Sequence, residues 1–158
     1  MVAGPDPRTG SALRAGPPRT ASVTLNLELS HGRHGAAARI EIHERGPGRV
    51  ALLALRGWLD RAALSHLSRL LDDLAVRGVD QVLLECSRLD HIDYRLAPEL
   101  VERLVRFEAR AGSLVVCGLS HYLRDLFRLA GCDARLRCWP SASELLPPTL
   151  EPGRECTT

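Results

Sequence analysis

The side chains best suited to chemistry cluster in one stretch: Asp90, His91, Asp93, Tyr94 and Arg95, with Glu99 and Arg103 a few positions on. Acids and an imidazole this close are the raw material of acid–base catalysis. That chemistry needs two titrating groups to converge on one reacting atom. The spacing opposes convergence, because successive side chains of an extended segment point to opposite faces, which separates Asp90 from His91. Asp93 follows an apolar point, Ile92, and precedes a run that turns helical. A carboxylate there caps orphan backbone N–H groups and meets the positive end of a helix dipole. A structural or partner-binding role is therefore expected for Asp93, and no catalytic residue is assigned.

Arg95 is the odd member of the group. A cation in a first helical turn opposes the macrodipole, so it needs an acid, and Asp93 and Glu99 are the two at hand. Alternatively, Arg95 faces outward to a partner's carboxylate or phosphate. Pro98 suits a first helical position, and it pushes the preceding Ala97 away from helical angles. The helix is thus expected to begin near Pro98, leaving 93–97 as a loop.

Other patterns carry less. Gly46-Pro-Gly48 lacks the lysine and the helix of a phosphate-binding loop. No G-x-S-x-G occurs, and the serines lack a local histidine and acid arrangement. His31 and His34 make a weak metal signal, better read as a solvated loop, so no metal or cofactor is expected. Five cysteines, with no C-x-x-C, read as reduced thiols, which suggests a cytoplasmic setting. All 21 basic residues are arginines, balanced by 19 acids to a net charge of +2, so no nucleic-acid partner is implied. No apolar run is long enough for a membrane helix, and the first 22 residues contain no apolar signal core.

Positioning these residues requires an α/β framework. Residues 50–55 form a continuous apolar run, as expected of a central strand buried on both faces. Leu64, Leu67, Leu71 and Leu74 repeat at helical spacing behind Asp60 and end before Gly78. Strands are expected at 82–86, 114–117 and 136–139. Helices are expected over 98–111, over 120–130 and after the capping box Ser141-Ala-Ser-Glu144. An alternating segment at 40–43 precedes the Gly46-Pro-Gly48 turn and should pair antiparallel with 50–55. The β-β-α-β-α-β-α-β-α order predicts a single α/β domain with a mixed, mostly parallel sheet of four to five strands and about four helices. Residues 1–37 read as a mostly disordered leader, although alternation over 23–29 allows an edge strand. Residues 148–158 read as a disordered tail.

Glu85, Ser87, Leu89, Ile92 and Asp93 match, in register, the central motif of STAS domains, an acid–Leu–Ser, an apolar pair, then Ile-Asp-Ser-Ser-Gly. The segment 38–147, including Gly57-x-Leu59-Asp60, resembles that family of anti-sigma factor antagonists. The Ser-Ser-Gly is Tyr94-Arg95-Leu96 here, and the family's phospho-acceptor serine falls on Arg95, so no phospho-acceptor is assigned. The resemblance implies a non-enzymatic regulatory module that binds a protein partner, such as an anti-sigma factor of the serine-kinase type. It places the docking residues at Asp93, Tyr94, Arg95, Leu96, Glu99 and Arg103. An alternative from the same resemblance is a small cytoplasmic subunit of a lipid-transporting ABC system that contacts the ATPase.

Overall fold

The computed structural model describes residues 23–140. Six strands form one sheet in chain order: β1 (Val23–Glu28), β2 (Ala37–Arg45), β3 (Gly48–Leu59), β4 (Gln81–Ile92), β5 (Ser113–Cys117) and β6 (Cys138–Trp139). β1, β2 and β3 pair antiparallel, and β3, β4, β5 and β6 pair parallel. Each parallel connection contains a helix: α1 (Arg61–Val76), α2 (Ala97–Arg110) and α3 (His121–Leu129).

The helices form where the sequence provides both an apolar stripe and a cap. Asp60 accepts the Ala63 N–H at 2.8 Å, and Leu64, Leu67, Leu71 and Leu74 of α1 are buried. Gly78 follows at φ +85°, a left-handed angle that glycine adopts without a Cβ penalty. Ser120 accepts the Leu123 N–H at 3.1 Å, and α3 buries Leu123, Leu126 and Phe127. α2 buries Leu100, Val101, Leu104 and Phe107. These residues join Ala51, Leu53, Leu55, Val82, Leu84, Leu114 and Val116 in one core cluster, so all three helices pack on the same sheet face. Truncating any of these core leucines to alanine would cost about 2–5 kcal/mol.

The opposite face carries a smaller buried cluster of Val50, Leu83, Val115 and Cys117. β3 is thus central, as its apolar run predicts, but it is buried along its length on the helix-covered face alone: on the other face Val50 is buried, whereas Leu52 and Ala54 are partly exposed. Among the described residues the sheet has six strands rather than four to five. The additional one is β1, the edge strand that the alternation over 23–29 allows, and it lies within the segment 1–37. Among the described residues there are three α-helices; the capping box at 141–144 lies outside them. No helix among the described residues is long and apolar enough to cross a membrane.

Candidate functional site

β3 and β4 run well past the ends expected from their apolar runs. Each is twelve residues long, and they remain paired through Arg56↔Arg88, Gly57↔Leu89, Trp58↔His91 and Leu59↔Ile92. Register shifts between Ala54 and Arg56 and between Gly57 and Trp58 interrupt the ladder. Such bulges bend a strand and re-aim its side chains. This extension lies at the carboxyl ends of parallel strands, the end at which open α/β sheets bind ligands.

The loop after β4 starts from a fixed point, with the Asp93 N–H bonded to the Leu59 carbonyl at 3.3 Å. Asp93 Oδ1 accepts the Arg95 backbone N–H at 3.0 Å and caps a 3-10 turn over Tyr94–Leu96. The Arg95 guanidinium folds back on the same carboxylate, with Nε 3.3 Å from Oδ1 and Nη2 3.2 Å from Oδ2. Hydrogen bonds from the Arg95 side chain and backbone hold the Asp93 carboxyl below the usual carboxylate range, and the same pairing raises Arg95. The Arg95 side chain is nonetheless 85% exposed. Asp93, and not Glu99, is therefore the acid that offsets this cation.

Glu99 is engaged elsewhere. Its carboxylate accepts from Arg61 of α1 at 3.1 Å and from Arg103, one turn along α2, at 3.4 Å. The Arg61 bond, then Arg103, draws its carboxyl below the ordinary value. Tyr94 is half exposed and donates its hydroxyl to the Leu129 carbonyl at 3.3 Å, which ties the loop to α3.

Two loop expectations need correction. Leu96 is 3% exposed and belongs to the core, so it supports the loop from beneath and offers no surface to a partner. Ala97 has φ −57° and ψ −46°, helical angles despite the following proline, and α2 starts there with Pro98 in its first turn. Burial of Leu96 and Ala97 in the core outweighs the pre-proline bias.

A ladder of rings lies beside the loop. His34 stacks on Trp58 at 4.1 Å, Trp58 meets His91 at 4.8 Å, and His91 stacks on Tyr122 at 5.7 Å between centroids. His91 Nδ1 and the Tyr122 hydroxyl are 2.6 Å apart. Trp58 is 41% exposed and Tyr122 52%, a surface position for two residue types that anchor protein interfaces. Sequence reasoning missed this set because its members come from four segments. The available signal was Trp58 and His91, which lie past the ends of the strands expected at 50–55 and 82–86. His31 pairs instead with Glu28 at 3.2 Å, so the two imidazoles of the 31–34 loop go separate ways. No group of three potential metal ligands occurs among the described residues.

Neither Cys86 nor Cys117 adds a nucleophile to this end of the sheet. Cys86 and Cys117 are buried in β4 and β5. Burial, followed by the neighbouring Glu85, pushes the Cys86 thiol far above its ordinary value, which disfavours the reactive thiolate.

The family model described as Mlab, STAS domain, matches residues 42–146. No curated protein matches the chain by sequence. The fold is similar to that of an anti-sigma factor antagonist from Mycobacterium paratuberculosis. The TM-score there is 0.57 at 15% identity, covering 73% of this chain and 94% of that one. It is also similar to the anti-sigma factor antagonist SpoIIAA in its unphosphorylated form, with TM-score 0.52 and 19% identity over 67% and 92% of the two chains. The murine Slc26a9 anion transporter contains a similar part, with TM-score 0.52 and 11% identity over 84% of this chain and 22% of that one. At these identities the structural likenesses show the fold. The family match spans more than half of the chain and every described element from β3 onward, and the chain belongs to the STAS domain family.

Proposed function

We propose that this chain is a non-enzymatic regulatory module that docks a protein partner through the Asp93–Arg95 loop and the start of α2. The partner class is an anti-sigma factor of the serine-kinase type. One observation carries the reading: Arg95, at the position of the family's acceptor serine, is exposed and closed on Asp93. A guanidinium has no hydroxyl to phosphorylate, so the charge that phosphorylation would add cannot appear there. Docking is then constitutive or set by the partner. Tyr94, Glu99 and Arg103 complete the face, and the Trp58–Tyr122 ladder adjoins it.

The test is affinity capture from the native host, with wild type and Arg95→Glu compared by mass spectrometry. A serine-kinase anti-sigma factor captured by wild type and lost with the variant supports the proposal. Capture of the ATPase of a lipid-transporting ABC system would place the chain in that assembly instead. Stoichiometric phosphate on Ser87 or Tyr94 that abolished binding would show that a switch operates from another residue.

A further inference from the structure

We infer that a cleft on the outer face of the β3–β4 extension is a binding site for a small, soluble, phosphate-bearing ligand. The cleft is open to solvent and has a volume of about 690 Å³ between the 30–36 loop and the two strands. That volume lies in the range of roughly 300–1,000 Å³ common for small-molecule sites. It sits on different residues from the Asp93–Arg95 loop, so its failure would leave the docking proposal standing.

The cleft is built. Leu29 N–H bonds the Ala36 carbonyl at 2.8 Å, and Ser30 Oγ accepts the Ala36 N–H at 2.9 Å, which closes the 30–36 loop at its base. The loop then rests on Gly57. That residue has φ +88°, and any Cβ there would collide with the Gly35 carbonyl oxygen. The Trp58 N–H bonds the His34 carbonyl at 3.1 Å and fixes the loop from the other side.

Its charge is unbalanced. Arg33, Arg56 and Arg88 line it, and none has an ion-pair or hydrogen-bond partner among the described residues. Elsewhere Arg49, Arg61, Arg77 and Arg110 each hold a carboxylate. Two acids also line the cleft. Glu28 lies 3.2 Å from His31, which offsets its charge only when protonated, so two carboxylates, Glu28 and Asp90, face three guanidinium groups. Arg56 and Arg88 stand directly opposite each other in the β3–β4 register. Like charges so placed repel, and an anion between them removes the cost. Planar guanidinium forks bind phosphate oxygens in pairs, and three of them suit a multiply charged phosphate better than a single carboxylate. Ser87, also in the lining, adds a hydroxyl.

The test is a ¹H–¹⁵N NMR titration of the full chain with pyrophosphate at low ionic strength. Expected are saturable shifts confined to residues 30–36, 56–58 and 87–90. Arg56→Gln/Arg88→Gln should weaken binding about tenfold or more, the loss of at least one bidentate contact. Arg69→Gln/Arg106→Gln, which alters two exposed helix arginines, should leave the affinity within about twofold. If the strand variant melts early, Arg33→Gln in the loop serves the same comparison without touching the sheet. Shifts that never saturate, that spread over all arginines, or that persist equally in the cleft variants would overturn the inference. So would binding to phosphatidylglycerol vesicles with none to pyrophosphate.

Discussion

Arg95 closes on Asp93 two residues before it, with three hydrogen bonds of 3.0–3.3 Å to one carboxylate. The pairing turns an unfavourable cation at a helix entrance into a locally neutral clasp. It also means that the loop's shape is set within the chain, so the proposed docking surface is preformed.

Asp93 performs two tasks in that clasp, capping and charge balance, and substitutions separate them. Asp93→Asn keeps an oxygen to accept the Arg95 backbone N–H but loses the charge; Asp93→Ala loses both. Thermal melting should rank wild type, Asp93→Asn and Asp93→Ala in descending order. An alanine variant as stable as wild type would show that the turn is held by Leu96 burial alone.

Glu99 makes stability depend on pH in a defined direction. Its folded value is held below the ordinary 4.5, first by Arg61. Its contribution is therefore complete above that value and is lost as pH falls through it toward the lower folded value. Asp93 acts in the same sense from its ordinary 3.8. Denaturant melts of Glu99→Gln from about pH 6 to about pH 3 should show a smaller fall in stability than wild type. Equal falls would mean that the Arg61 and Arg103 contacts are too screened to matter.

Gly57→Ala should destabilise the fold by more than about 1 kcal/mol, from the left-handed backbone and the collision with Gly35 together. Hydrogen exchange should accelerate at Ala36 and Trp58, whose N–H groups anchor the loop. Gly46→Ala is the control. It also has a positive φ, but nothing lies near its Cβ position, so its loss should be smaller.

The cysteines should differ in reactivity. Cys138 is exposed, whereas Cys86 is buried and its thiol is strongly raised. Alkylation of the native protein followed by peptide mapping should modify Cys138 well before Cys86. Early labelling of Cys86 would reveal opening of the β4 core.

Much of the framework was legible because it rests on local rules. The apolar run at 50–55, the leucine spacing behind Asp60 and the Ser120 cap each specify an element by themselves. The acid beside Ile92 reads as a cap for the same reason, and it is one. The extension of β3 and β4 was not legible. Arg56, Trp58, Arg88 and Asp90 give no apolar run, and two bulges break the alternation that would otherwise mark a strand. The ring ladder and the arginine cleft depend on that extension and on the 30–36 loop, so both are tertiary products of distant segments. The resemblance puts Leu96 in the docking loop, at a position where the family's motif has a glycine. Its own apolar side chain finds the core instead.

The central claim is that the Asp93–Arg95 loop meets the partner. Its most direct test is the affinity of Arg95→Glu for the captured partner, measured beside the variant's melting temperature. The Arg95 side chain is 85% exposed and its backbone N–H bond to Asp93 survives the substitution, so the loss of stability should be small and less than that of Asp93→Ala. Affinity should fall by about thirtyfold or more if a partner acid meets this cation. A variant that melts early yet binds its partner like wild type would contradict the account: Arg95 would then be structural, and the docking face would lie elsewhere.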